Sequence, residues 1–302
     1  MVPDMKTLRL PALALLQMLI LVGCSAQSGK AEDPVGAGTA PFRIGTFNIH
    51  YVVPGRERMA WEPREEAAVA AVRALDADIV AFQEMETFTG GHVSTRNVQL
   101  RTMRQQFPGH SFGAVGKPEE YPWTQPVMYR SDRFEQLDQG FFFFSPTPDR
   151  IYSEPWQESF PAFCSWVRLR DREAGRSLYI YNVHFDHRSL ENRNRAAELV
   201  AERARSREHP EDPALVIGDT NSLWFFRSIR ILENAGFTLA DPSGPTFHWN
   251  RGLDLLPAID HLLVDDALRA GEAQVLRRKI DGVWPSDHYP VAFPVSYAEE
   301  RG

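Results

Sequence analysis

Cysteine is scarce. Cys24 and Cys164 are the two in a chain of 302 residues. No Cys pair at ligand spacing and no His-Glu-x-x-His run exists, so the common structural zinc sites are excluded. Basic tracts are missing too. The net charge is −7, which gives no electrostatic footprint for gripping a long nucleic acid. A small phosphorylated substrate in a local cationic pocket stays open. No solenoid-type repeat runs through the chain. What is present is ordinary: 43% hydrophobic and 24% charged residues support a sizeable core in one large domain or two small ones.

Residues 1–23 read as a targeting segment. Lys6 and Arg9 precede the apolar stretch PALALLQMLILVG, which is too short for a permanent membrane span. It ends in Leu21-Val22-Gly23-Cys24, which resembles a bacterial lipobox. Lipidated Cys24 would become the mature N-terminus, anchored to a membrane without crossing it. Ser25 follows, where no Asp stands; by resemblance to sorting signals this favours the outer membrane of the cell envelope. Residues 24–41 are small, polar and carry Pro and Gly, a flexible tether. With Cys24 lipidated, Cys164 has no disulfide partner, and its place in FCSWVRL predicts a core residue.

From residue 42 to 298 the texture is that of one catalytic domain. FRIGTFNI reads as a strand, PREEAAVAAVRAL as a helix with Pro63 in its first turn, and DADIVAFQE as a buried strand. A helix is predicted over 97–106. VMYRSDRFEQLDQGFFFF reads as a hairpin turned at SDR, and FCSWVRLRDREAGRSLYIYNVHF as a second, turned at DREAGR. A charged amphipathic helix follows over 190–206. ALVIGDTN and AIDHLLVDDAL read as single strands, and WPSDHYPVAFPV closes the domain. Hairpins mixed with long crossovers predict an α/β fold with two mixed β-sheets packed together.

Apolar strands repeatedly end in short polar clusters: TFNIH, AFQEM, NVHFDH, VIGDTNS, AIDHLL and PSDHYP. Strand ends are where α/β proteins gather ligand groups. Sparse carboxylates with Asn and His suit a hard divalent ion, Mg²⁺ or Mn²⁺, that keeps several waters.

The ordered set QE, NVHFDH, GDTN, IDH and SDHYP, spread over residues 42–296, resembles the endonuclease/exonuclease/phosphatase superfamily. The resemblance implies a four-layer α/β/β/α sandwich and a metal-dependent phosphoric ester hydrolase. It implies that Asn48 and Glu84 hold the metal, with Asp287 as a further contributor. His184 would contact the scissile phosphate. Asp219 would orient or deprotonate the attacking water, Asn221 would bind a phosphoryl oxygen, and Asp260 would support these groups. Asp287 would orient His288, which acts as general base or transition-state stabiliser. Tyr129, Arg193 and Trp123 are candidate substrate contacts, and Tyr121 and Trp156 candidate cleft walls. Relatives often carry a Glu seven residues before the Arg of the YR pair. Here that position is Trp123, with Glu119 and Glu120 close by as substitutes.

The expected substrate is a phosphorylated small molecule or a lipid-derived phosphoester, with no extended nucleic-acid contact, and the expected state is a lipid-anchored monomer. A surface nuclease and a degenerate binding module are the alternatives.

Overall fold

The computed structural model describes residues 41–53, 60–85, 97–117, 120–122 and 124–299. The signal segment, Cys24, the tether up to residue 40, Glu119 and Trp123 lie outside the described residues.

Strand β1 (Phe42–Asn48) is buried along nearly its whole length, because it lies between two neighbours and under two layers. It runs parallel to β2 (Ile79–Gln83) and antiparallel to β13 (Val291–Tyr297). The parallel pairing requires a crossover, and helix α1 (Glu65–Leu75) supplies it. Pro63 lies in the turn before that helix, ahead of the N-cap Arg64. Helix α2 (Val98–Gln106) starts at Asn97, whose side chain accepts from the Leu100 N–H at 2.9 Å. Strands β3 (His110–Gly113), β4 (Val127–Arg130), β11 (Leu268–Ala270) and β12 (Gln274–Val275) complete this first sheet.

The second sheet has the order β5-β6-β7-β8-β10-β9. Its members are β5 (Phe134–Phe143), β6 (Phe163–Asp171), β7 (Arg176–His184), β8 (Ala214–Asp219), β9 (Thr238–Ala240) and β10 (Asp260–Val264). Again one parallel pair, β7 with β8, is joined by a helix, α3 (Leu190–Arg205). A short helix, α4 (Arg227–Asn234), follows β8. Three apolar clusters separate the layers. Phe42, Ile44, Leu178, Ile217 and Phe293 fill the space between the sheets. Ala68, Val72 and Leu100 cover the outer face of the first sheet, and Ala197, Val200 and Ile229 that of the second. The fold is the expected α/β sandwich of two mixed sheets with outer helices.

Two sequence expectations are corrected. VMYRSDRFEQLDQGFFFF is not a hairpin: β4 belongs to the first sheet and β5 to the second. Strand β4 already has β2 on one edge and β3 on the other, so no edge is free for β5. The SDR turn crosses between sheets, and buried Arg133 fixes the crossing by its ion pair with Asp171 at 2.9 Å. Breaking such a buried pair costs about 3–5 kcal/mol. AIDHLLVDDAL also splits, with β10 in the second sheet and β11 in the first. The FCSWVRL…YNVHF hairpin, the helix beginning at Asn97 and the buried Cys164 are as expected.

Candidate active site

The topology sends several chain ends to one place. β1 ends at Asn48, β2 ends at Gln83 just before Glu84, and β7 and β8 end at His184 and Asp219. β10 runs antiparallel to β8, so its first residue, Asp260, arrives at the same end. The register is specific: His184 pairs with Asp219 across the parallel pair, and Asp219 with Asp260 across the antiparallel one. Side chains of directly paired residues share a face. Gly218 permits this close approach. Its φ is +138°, and a Cβ there would lie 2.1 Å from the Val183 carbonyl oxygen.

Asp219 is the hub. One carboxylate oxygen accepts from the Asn221 N–H at 2.9 Å, and the other from Asn48 Nδ2 at 3.0 Å. His184 Nε2 and His288 Nε2 lie 3.6 and 3.7 Å from that second oxygen. His184 Nε2 is also 3.7 Å from Glu84 Oε1. Asn48 Nδ2 lies 3.2 Å from the same Glu84 oxygen, and the other Glu84 oxygen accepts from the Tyr51 N–H. A row of alternating acid and base therefore crosses the seam between the sheets. Beneath it, Gln83 Nε2 donates to Asn182 Oδ1 at 2.7 Å, and Asn182 Nδ2 donates to the Phe82 and Gln125 carbonyls. These buried amides fix one sheet against the other.

The Asp–His pair differs from the expected one. His288 Nδ1 bonds Asp260 Oδ2 at 2.9 Å, so Asp260, and not its chain neighbour Asp287, orients the imidazole. His288 lies in an isolated bridge with Phe247 of the loop that leads into β10, which brings it to Asp260, while Asp287 occupies a bend before it. Asp287 instead lies with one oxygen 3.9 Å from His50 Nδ1. Burial by itself would lower the His288 pKa. Asp260, Asp219 and Asp287 outweigh it and push the imidazole up to about 10. Asp219 is also raised from its ordinary value, first by burial and then by the charge of Asp260. The surrounding carboxylates thus hold His288 as a cationic donor, and burial with Asp260 gives Asp219 an enhanced appetite for a proton.

Asn221 sits at φ +47° and donates one amide hydrogen to the Phe185 carbonyl at 2.9 Å, which leaves the other for a ligand. Glu84 and His50 also adopt positive φ, 55° and 58°. Such backbone strain is often concentrated at working sites.

Other expected contacts fare differently. Tyr129 is a core residue, not a substrate contact. It pairs with Ile79 at the start of β2, the end away from Glu84, and is buried between the sheets. Arg193 is buried on α3 and donates to the Asp186 carbonyl at 2.7 Å; Asp219 is among the charges it feels. Glu120 is 69% exposed and paired with Lys117, so it does not replace the missing carboxylate. His187 is exposed and stacks near Phe160.

Sequence reading missed Arg64. Its guanidinium donates to the carbonyls of Ile49, His50 and Pro285. It thereby clasps the loop after Asn48 to the loop before His288, which Ser286 also pins by donating to the Asn48 carbonyl at 2.7 Å. Burial lowers the Arg64 pKa to about 10 against the pull of Asp287 and Glu84. The available signal was an Arg three residues after Trp61 and just before the helix, packed on that ring at 5.1 Å. Lysine cannot reproduce a planar fork spanning two loops. Arg64→Lys is expected to weaken metal affinity and kcat together by about 10- to 100-fold, as supporting residues of a site do. Substrate KM should hold. An unchanged metal titration would show that the clasp is structural only.

Does the donor set fit a divalent ion? Among the described residues, Asp219, Asp260 and His288 offer ligand atoms within 4.8 Å of one another. Asp260 and His288 already satisfy each other, however, and an imidazole is a poor ligand for a hard ion. The carboxylate oxygens of Glu84 and Asp287 suit such an ion better, whereas Asn48 turns its Nδ2 to Glu84 and its Oδ1 to the His50 N–H, so its amide would have to rotate to ligate. Glu84 and Asp287 are each about one-fifth exposed, open to an ion that keeps its waters. Four clustered carboxylates, Glu84, Asp219, Asp260 and Asp287, further favour a cation.

Comparison with known proteins bears on the family and the fold. A sequence model of the endonuclease/exonuclease/phosphatase family matches residues 45–288. A search of curated proteins finds no match. Solved structures do match. A family protein from Bacteroides thetaiotaomicron superposes with a TM-score of 0.74 at 24% identity, covering 86% of this chain and 99% of its own. A mannosyl-6-phosphatase from the same species gives 0.72 at 24% identity, covering 84% and 99%. The catalytic domain of human Nocturnin, with bound sulfate, gives 0.62 at 16% identity, covering 85% and 95%. At these identities the likeness shows the fold.

Proposed function

The chain belongs to the endonuclease/exonuclease/phosphatase family, and on that premise we propose that it is a divalent-metal-dependent hydrolase of phosphate esters, a phosphodiesterase or phosphatase. The single observation that carries the reading is Asp219, buried and placed between two imidazoles and an amide donor, all within 3.7 Å of one oxygen.

Asp219 orients the attacking water and accepts its proton, which its raised pKa favours. His288, held protonated by Asp260, donates to a non-bridging phosphoryl oxygen as charge builds there. His184 and the free amide hydrogen of Asn221 hold further oxygens. Glu84 and Asn48, with Asp287 beside them, would hold Mg²⁺ or Mn²⁺, which supplies charge relief at the phosphoryl group and the leaving oxygen. The site residues come from both sheets, so the amide layer beneath them supports a preorganised geometry.

The substrate is proposed to be a small or lipid-derived phosphoester, consistent with the acidic chain and the lack of a basic tract. The lipobox-like Cys24 supports a lipid-anchored place in the cell envelope. A chromogenic bis-phosphate ester with Mg²⁺ or Mn²⁺ tests the chemistry: turnover should vanish in EDTA and in His288→Ala. A rate that survives either treatment rejects the mechanism. Sugar phosphates and plasmid DNA in the same panel separate a phosphatase from a nuclease.

A further inference from the structure

Most of the large apolar side chains exposed among the described residues cluster at one end of the domain. Trp224 and Phe225 follow β8, while Trp249, Leu253, Leu255 and Leu256 precede β10. That is the end that carries Asp219 and Asp260. Leu255 is 70% exposed. Leucines so placed gain nothing from water and mark an interaction surface.

A basic segment runs beside them. Arg278 and Lys279 are exposed on the loop 277–284, and Arg251 is exposed on the apolar loop itself. The two loops form one ridge. Arg277 donates to the carbonyls of Ser243 and Pro245. Gly252, at φ +68°, lies so close to Trp284 that a Cβ would come within 2.8 Å of its ring. Behind the ridge, His248 lies against both Trp284, whose ring is tilted at 4.4 Å, and Tyr289, stacked at 4.2 Å. Tyr289 is the next residue after His288, so the ridge is tied to the catalytic loop.

We propose that this ridge docks on an anionic phospholipid bilayer and holds the catalytic cleft against the membrane surface. Exposed Leu and Trp suit the headgroup–acyl boundary, and neighbouring Arg and Lys suit anionic headgroups. The cations are notable in a chain of net charge −7. The sequence itself supplies the proximity: a basic and apolar N-terminal segment ending at Cys24, then residues 25–40, which reach about 55 Å when extended. That length lets the domain turn a chosen face to the surface, and the ridge is the face with affinity for it. The inference goes beyond hydrolysis and does not depend on it.

The test uses the full lipidated chain reconstituted in phosphatidylcholine vesicles with about one-third phosphatidylglycerol, with and without brominated acyl chains. All seven tryptophans lie after residue 60, so the anchor contributes no emission. Brominated lipid is expected to remove about one-seventh of the emission or somewhat more, from Trp249 with or without Trp224. Leu255→Glu with Leu256→Glu should abolish this loss. Arg278→Glu with Lys279→Glu should reduce it to the level seen in pure phosphatidylcholine. Leu137→Glu, on β5 away from the ridge, should leave it unchanged. Equal emission in both vesicle types, or quenching that survives the double leucine variant, would overturn the proposal. So would self-association that the leucine variant abolishes in the absence of quenching, which would assign the ridge to a second copy of the chain.

Discussion

Asp260→Asn is expected to lower kcat by about 10³- to 10⁴-fold, the scale of losing the carboxylate that orients and charges a catalytic imidazole. The substitution keeps shape and one hydrogen-bonding oxygen, so the fold should survive. Its effect on His288 is electrostatic. The folded-state pKa, pushed up to about 10, should fall, because Asp260 is the largest of the charges that raise it. If protonated His288 is the active form, the alkaline limb of the rate profile should move to lower pH in the variant. Stability follows the same sign. A group whose pKa is raised on folding stabilises fully below its unfolded value near 6.5, and that contribution is lost as pH rises through the folded value. Between about pH 6.5 and 10 the metal-free wild-type protein should therefore lose stability more steeply than Asp260→Asn. Urea unfolding at both ends of that window, with a pH–rate profile, checks both statements. Asp287→Asn is the control: a comparable fall in kcat together with the same shift of the alkaline limb would restore the sequence-adjacent pair.

Glu84→Gln is expected to cut divalent-ion affinity and kcat/KM by about 10²- to 10³-fold, consistent with removing a charged ligand whose ion supplies several kcal/mol. Glu84 accepts from Asn48 Nδ2 and from the Tyr51 N–H with its two oxygens. Glutamine has one acceptor and would present an N–H₂ to one of those donors, so Asn48 is disturbed along with the charge. Calorimetric titration of Mn²⁺ gives the affinity, and raising the metal concentration should recover part of the rate. Wild-type metal binding in Glu84→Gln would move the ion to the Asp219–Asp260–His288 group.

Much of the fold was legible in the chain. Strands ending in polar clusters, a Pro-led Ala-rich helix and a helix over 97–106 are local signals, and local chemistry answered them. The failures share one cause. VMYR and FEQLDQGFFFF look like hairpin partners because they are adjacent and alternate, but β4 has both edges filled by β2 and β3. Tyr129 lay beside suggestive residues in sequence and at the wrong end of its strand in space. Arg64 acts through three backbone carbonyls, which leave no residue type to read.

The sequence by itself set Asn48, Glu84, His184, Asp219, Asn221, Asp260, Asp287 and His288 at or near the ends of apolar strands, as candidates for one site. Only the tertiary structure decided which acts on which. Asp287 and His288 are neighbours in the chain, yet they meet different partners, His50 and Asp260. The imidazole meets Asp260, 28 residues away, because β10 pairs with β8 and His288 bridges Phe247 in the loop before β10. Pairing across strands is set by register, and register is a property of the assembled sheets.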